Sequence, residues 1–317
     1  MKTAPHPITR ILSADKVIDS RLLNVLGAQA FRTVSARLVH STRRAPIDEA
    51  VANNVDELRT EGLLVMNAFV PQSCFEGILQ ECAFLEQQSD RTLTTRQGPV
   101  THTAVGVEEF GPRLLPRICE CLADDRLVSI LRAVEKWPFG ELAHYAIFER
   151  LLREEPRTAA AEDPQTRLHS DIFFPSHKAW LYLDEVRLED GPLAYVRRSH
   201  RLTRTRLVEI HRDSYRRDRS DDPSRRIRKE ERDRLDRPET VVICPPNTLV
   251  IANVCGYHRR LSAAGGGRRR ALAVSLRSNP FLAHALRARL AEHAGLYELL
   301  RGVKRKLAGF MVRDSGL

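Results

Sequence analysis

The chain has 317 residues and a formal net charge of +10 at neutral pH, with 42% apolar and 29% charged residues. That length allows about two ordinary domains or one elaborated β-barrel or sandwich, and the apolar share excludes a wholly disordered chain. No run of about 18 apolar residues occurs and Met1 to Lys16 holds no unbroken apolar core, so the expectation is a soluble, cytoplasmic protein without a membrane partner.

Cys74, Cys82, Cys119, Cys121, Cys244 and Cys255 form no C-x-x-C pair, which argues against a zinc ribbon or a disulfide scaffold and for reduced thiols. The excess of basic residues is diluted along the chain. Arg212 to Arg237 mixes arginine with many acids and carries Tyr215 as its one aromatic, which reads as a solvated segment rather than a nucleic-acid surface.

In chain order, the apolar residues Leu22, Leu23, Val25, Leu26, Ala30, Phe31, Val34 and Leu38 predict one surface-packing helix over Arg21 to Val39. Asn54 to Arg59 reads as a helix, Gly62 to Met66 as a strand, and Pro71 to Gln87 as a helix with Phe75, Ile78, Leu79, Cys82 and Leu85 on one face. From Leu142 the chain turns to short strands: Leu142 to Phe148, Lys178 to Val186, Leu193 to Val196, Thr240 to Ile243, Thr248 to Asn253 and Ala271 to Leu276. Proline and glycine clusters such as Asp190-Gly191-Pro192 and Pro245-Pro246-Asn247 separate them. This rhythm predicts a mainly β protein with flanking helices, an antiparallel sandwich or jelly roll. Residues 1–53 form an N-terminal helical extension, 54–280 the β domain, and 281–317 a C-terminal helical tail. The charged stretch Arg201 to Pro238 is a mostly helical insertion, placed to act as a lid.

Leu168-His169-Ser170-Asp171 is the sharpest local feature, because alternate residues of a strand share a face and His169 and Asp171 would stand side by side as metal ligands. A second histidine would complete the set of two histidines and one carboxylate that suits non-haem Fe(II). His258 follows a strand and a turn far enough downstream to lie opposite in a barrel. His200 reads as a loop histidine bonded to backbone, and His144 and His177 are weaker candidates. In the strand after Gly267, alternation puts Arg269, Ala271, Ala273 and Ser275 on one face and Arg270, Leu272, Val274 and Leu276 on the other. The first face joins a guanidinium to small residues and leaves room to clamp a carboxylate. The second suits packing against helices.

The segments His169-Ser170-Asp171, Lys178 to Leu183, Asp190 to Val196 with Ser199-His200-Arg201, Asn247 to Asn253, His258 and Arg269 to Leu272, in that order, resemble the phytanoyl-CoA dioxygenase family over roughly residues 54 to 280. The resemblance implies a double-stranded β-helix (a cupin-like jelly roll) and an Fe(II)- and 2-oxoglutarate-dependent dioxygenase. It implies His169, Asp171 and His258 as iron ligands, Arg269 as the partner of the distal carboxylate of 2-oxoglutarate, and Trp180 beside that cosubstrate. His200 and Gly191-Pro192 fall at positions read as structural. The implied reaction is hydroxylation of a small molecule of secondary-metabolite or acyl type, with desaturation, epoxidation or ring formation, or a non-catalytic binding protein, as alternatives. The substrate is expected to be anionic or carrier-tethered, and the chain a monomer or homodimer. One departure is that Arg259 and Arg260 follow His258, facing either solvent or an anionic substrate group.

Overall fold

The computed structural model describes residues 15–136, 145–153, 163–216, 224–235, 237–263, 266–276 and 280–281. The expectations for His144 and for the C-terminal tail beyond residue 281 lie outside these residues. No helix among the described residues is long and apolar enough to cross a membrane.

Twelve strands are described: β1 (Leu63–Met66), β2 (Leu93–Gln97), β3 (Val100–Gly106), β4 (Tyr145–Arg153), β5 (His169–Ser170), β6 (His177–Tyr182), β7 (Leu193–Val196), β8 (Arg225–Arg226), β9 (Glu239–Val241), β10 (Thr248–Asn253), β11 (His258–Arg260) and β12 (Arg268–Ser275). They build two antiparallel sheets. One has the order β1-β10-β6-β12-β4-β3-β2, the other β8-β5-β11-β7-β9.

The alternation expected of β12 is what sets the layers. Leu272, Val274 and Leu276 join Ala179, Leu181 and Ile251 on the outer face of the large sheet, against Phe75, Ile78, Ile118, Ile130 and Leu131 from helices Gln72–Glu86, Pro116–Leu122 and Asp125–Glu135. Each such side chain, when fully buried, stabilises by about 1.5–3 kcal/mol. On the inner face Leu63, Tyr182, Val250 and Ala271 meet Leu193 and Tyr195 of the small sheet, with Trp180 packed at the edge. Helix Asp125–Glu135 shows the local logic. Asp124 caps it by accepting from the Arg126 and Leu127 backbone N–H groups, and the helix buries Leu127, Ile130, Leu131 and Val134 on one face. It stops where Lys136 turns left-handed at φ 54°.

Two expectations change. The predicted N-terminal helix is two helices, Arg21–Val25 and Ala28–Thr42, broken at Gly27, whose φ of 89° is left-handed. The longer one also turns its apolar stripe outward: Phe31 and Leu38 are exposed, while Gln29, Arg32, Thr33 and Ala36 are buried. The buried polar groups satisfy one another. Arg32 donates to Gln29 Oε1 and to the Asp15 carbonyl and lies over the Phe173 ring, and Thr33 donates to the Gln29 carbonyl.

The second change concerns the insertion. Its helix Arg204–Arg216 and its short helix Lys229–Asp233 match the helical expectation. Arg225–Arg226, however, forms β8 at the edge of the small sheet, with Arg226 opposite His169 and Arg225 opposite Ser170. Arg225 also reaches Asp213, Glu231 and the Tyr257 hydroxyl. The segment is therefore wired into the strand that carries a candidate ligand, more than a lid resting on the barrel mouth would be.

His200 takes the backbone role expected of it. It is buried, its Nε2 lies 3.1 Å from the Arg59 carbonyl, and burial pushes its pKa down to about 4. The unfolded ring titrates near 6.5. As pH falls through that value the unfolded chain takes up a proton that the folded ring refuses. Stability should thus be lost between pH 6.5 and about 4, at roughly 1.4 kcal/mol per pH unit for each such histidine, with no further loss from this group below. Urea midpoints measured across that window should decline, and a flat profile would contradict the burial argument.

Candidate metal centre

The two histidines are brought together by strand pairing. β11 runs antiparallel to β5 with His258 directly opposite His169, and their ring centroids lie 4.6 Å apart. Asp171 stands one residue past the end of β5, held by its N–H to the Val254 carbonyl at 2.9 Å. Its Oδ1 lies 3.6 Å from His169 Nε2 and 3.8 Å from His258 Nε2. These three donor atoms all fall within 4.8 Å of one another, and among the described residues this is the group able to hold a metal ion.

The other ring nitrogens are tied to backbone oxygens. His169 Nδ1 is 2.8 Å from the Arg167 carbonyl and His258 Nδ1 is 3.0 Å from the Gly256 carbonyl. A carbonyl only accepts, so each Nδ1 carries the proton and each Nε2 presents its lone pair to the space shared with Asp171. Gly256 is required here: a Cβ at that position would collide with the Tyr195 hydroxyl, and the Tyr195 ring stacks on His258 at 6.5 Å.

Electrostatics keep the donors in their ligating forms. Burial, with the neighbouring His258 ring adding to it, lowers the His169 pKa to about 4, and burial lowers His258 as well. Burial alone would raise Asp171, yet Lys178 and the two imidazoles outweigh it and hold the carboxyl far below its usual range. Lys178 Nζ contacts Oδ2, the oxygen turned away from the histidines, at 2.5 Å.

The three residues line a cavity of about 320 Å³ together with Arg269, Trp180, Tyr182 and Lys178. That volume lies within the roughly 300–1,000 Å³ of small-molecule sites. Register explains the gathering: Ala271 sits opposite Tyr182, Ala273 opposite Trp180 and Ser275 opposite Lys178, so the small residues of β12 leave room above the larger ones of β6. Arg269 is buried, donates through Nη1 to the Gly191 carbonyl at 2.8 Å and lies 5.3 Å from the Tyr182 ring centroid. Its Nε is buried with no hydrogen-bond partner among the described residues. Trp180 is partly buried and serves both as packing and as wall.

The other candidates go elsewhere. His177 points away from the cavity, its Nδ1 2.8 Å from Glu135 Oε1. Arg259 bonds Glu239 at 2.6 Å and Arg260 bonds Asp163 at 2.8 Å, so each guanidinium lines the cavity already matched by a carboxylate, where solvent or an anionic substrate was expected.

Sequence reading missed Lys178, His102 and Glu149. The last two form a pair at 3.4 Å on the cavity wall. For Lys178 the signal was a charged residue on the same strand face as Trp180 and Tyr182. For His102 it was the β-branched run broken by Gly98-Pro99, a hairpin pattern.

No protein-family profile matches the chain, and no curated protein matches it. Among solved structures, it is similar to the epimerase SnoN in complex with Fe3+, alpha-ketoglutarate and nogalamycin RO, at 17% identity over 71% of this chain and 82% of that one, with a TM-score of 0.49. HygX from Streptomyces hygroscopicus with nickel and 2-oxoglutarate gives 17% identity over 71% and 85%, with a TM-score of 0.46. A prolyl-4-hydroxylase from Pseudomonas putida gives 16% over 72% and 98%, with a TM-score of 0.41.

Proposed function

We propose that the protein is an Fe(II)- and 2-oxoglutarate-dependent dioxygenase that oxidises a small polar molecule, and that its two sheets are the halves of a double-stranded β-helix. The observation that carries the reading is the convergence of His169 Nε2, His258 Nε2 and Asp171 Oδ1, with both Nδ1 protons committed to carbonyls. Two imidazoles and one carboxylate are the donor set of the facial triad that leaves positions open on non-haem Fe(II). The sheet topology supports it: β4-β12-β6-β10 and β5-β11-β7-β9 interleave strands that alternate between the sheets from β4 to β7 and again from β9 to β12.

When bound, iron and 2-oxoglutarate supply oxidative decarboxylation, which consumes dioxygen, yields succinate and carbon dioxide and leaves one oxygen atom for the substrate. The chain's own part is to bind, orient and exclude water. Arg269 offers its unpartnered Nε to the distal carboxylate of the cosubstrate, and the Gly191 carbonyl fixes its angle. Trp180 and Tyr182 wall that end of the cavity. Lys178 occupies Asp171 Oδ2, which leaves Oδ1 as the ligating oxygen and orients it as a supporting shell does. The remaining wall is mostly polar, with Gln97, His102, Glu149 and Gln165 beside the apolar Leu151 and Leu193; Arg259 and Arg260 are neutralised, and Lys16 donates to Ser224. This favours a hydroxyl- or amide-bearing substrate over an acyl chain, and removes the ground for requiring an anionic one.

Lys178→Met should weaken metal binding about 10–100-fold, the usual cost of losing such a supporting contact. Competition of the variant with a chromogenic chelator measures it, and an unchanged affinity would mean that Lys178 serves something other than Asp171. The reading as a whole is tested by following 2-oxoglutarate consumption and succinate formation in the iron-loaded protein, alone and with a panel of polar small molecules. Consumption stimulated by a panel member, with an oxidised product, supports it. Hydroxylation, desaturation, epoxidation and ring closure are told apart by the product mass. No consumption with iron and 2-oxoglutarate both bound would instead point to a binding protein.

A further inference from the structure

β6 alternates, and its two faces serve different places. Lys178 enters the metal cavity, whereas His177 turns outward into a second cavity of about 550 Å³ that shares no lining residue with the first. Its wall is strongly basic: Arg43, Arg44, Arg59 and Lys136, joined by His40 and His177.

The charges there are not balanced. No Asp or Glu is among the cavity's described lining residues, and Glu135, which reaches His177 from behind the wall, is spent, since its Oε1 accepts from both the His177 backbone N–H and His177 Nδ1, each at 2.8 Å. Arg43 faces Glu135 and donates to the Pro280 carbonyl, and Arg59 commits Nη2 to the Ala133 carbonyl at 2.8 Å. Among the described residues the side chains of Lys136 and Arg44 have no hydrogen-bond or ion-pair partner, and the charges that act on Lys136 are the cations Arg59 and Arg44. His40, half-buried in the same wall, likewise has no ring hydrogen bond among the described residues. The C-terminus of helix Asp125–Glu135 favours one nearby cation. It does not account for several converging on one concavity, an arrangement that repels itself unless an anion meets it.

The geometry points to this cavity as a binding site for a phosphate-class polyanion. Guanidinium forks match phosphate oxygens bidentately, a lysine adds a point charge, and the His40 ring, kept neutral by burial, adds one N–H donor. The volume exceeds what one small monovalent anion fills, so the ligand class is a diphosphate, either free or carried on a nucleotide.

Isothermal titration of the full chain, at fixed ionic strength and without added metal, uses inorganic pyrophosphate in one arm and ADP in the other. Saturable one-to-one binding of either is expected. Tighter binding of ADP assigns the diphosphate to a nucleotide, and equal or tighter binding of pyrophosphate assigns it to the free anion. The double variant Lys136→Asn/Arg44→Ala should bind at least tenfold more weakly. Asparagine tolerates the left-handed backbone at 136, and Arg44 is exposed, so the melting curve should stay in place. Arg269→Ala should bind as the parent does, because that guanidinium belongs to the other cavity. No saturable heat up to millimolar ligand, parent-like binding by the double variant, or loss of binding in Arg269→Ala would each overturn the assignment.

Discussion

Alanine at any one of His169, Asp171 or His258 should strip the metal, lowering metal content from about one ion per chain to a small fraction and activity by more than about a hundredfold. Losing a supporting contact to a ligand already costs about 10–100-fold, and removing a ligand should cost more. Asp171 Oδ1 stands 3.6 and 3.8 Å from the two Nε2 atoms, and among the described residues no other His, Cys, Asp or Glu joins the cluster to substitute. The three variants should fold: the histidine variants forfeit one Nδ1 bond each to a loop carbonyl, and Asp171→Ala forfeits the Lys178 contact but keeps its backbone N–H bond to Val254. Elemental analysis after dialysis against Fe(II), or against Co(II) as a stable stand-in, measures the effect. If two of the three variants keep full metal content, the assignment fails.

Arg269→Ala should leave metal content unchanged and raise the 2-oxoglutarate concentration needed for half-maximal turnover. Removing one member of a desolvated charge pair costs about 2–5 kcal/mol, which corresponds to a factor of roughly 30 to 4,000. Arg270→Ala is the control. Its guanidinium lies on the opposite face, bonded to Asp184 at 2.6 Å and Glu86 at 3.2 Å, so its loss should act on stability and not on cosubstrate. The reverse pattern would show that the facing of β12 is shifted by one residue.

What could be read from the chain beforehand follows from what each element depends on. Leu193–Val196 and Thr248–Asn253 are apolar runs bounded by turn residues, so local composition alone sets their limits, and the structure returns the predicted ends. β12 starts earlier than Ala271 because Arg268, Arg269 and Arg270 pair with Leu152, Leu151 and Arg150 in spite of their charge. β8 is two arginines, and only its partner β5 makes it a strand. Tertiary pairing overrides propensity there.

The same distinction separates the site residues. The His169–Asp171 spacing is a local pattern, and it was legible. The Lys178 contact to Asp171 depends on how β6 lies across from the end of β5, and the pairing of Arg260 with Asp163 spans 97 residues, so neither has a local signature. The inverted N-terminal helix has the same origin: its buried arginine is held by a glutamine three residues away, a backbone carbonyl and an aromatic ring, a combination that a hydrophobic stripe cannot anticipate.

The central claim is that one cavity holds iron on His169, Asp171 and His258 and 2-oxoglutarate against Arg269. Anaerobic titration of the Fe(II)-loaded protein with 2-oxoglutarate, followed by visible absorption, tests it most directly, because chelation of the cosubstrate to ferrous iron produces a charge-transfer band that neither gives alone. The account predicts a band that saturates at one equivalent in the parent, requires a much higher concentration in Arg269→Ala and is absent in His258→Ala. Full metal loading with no band at any 2-oxoglutarate concentration would contradict it.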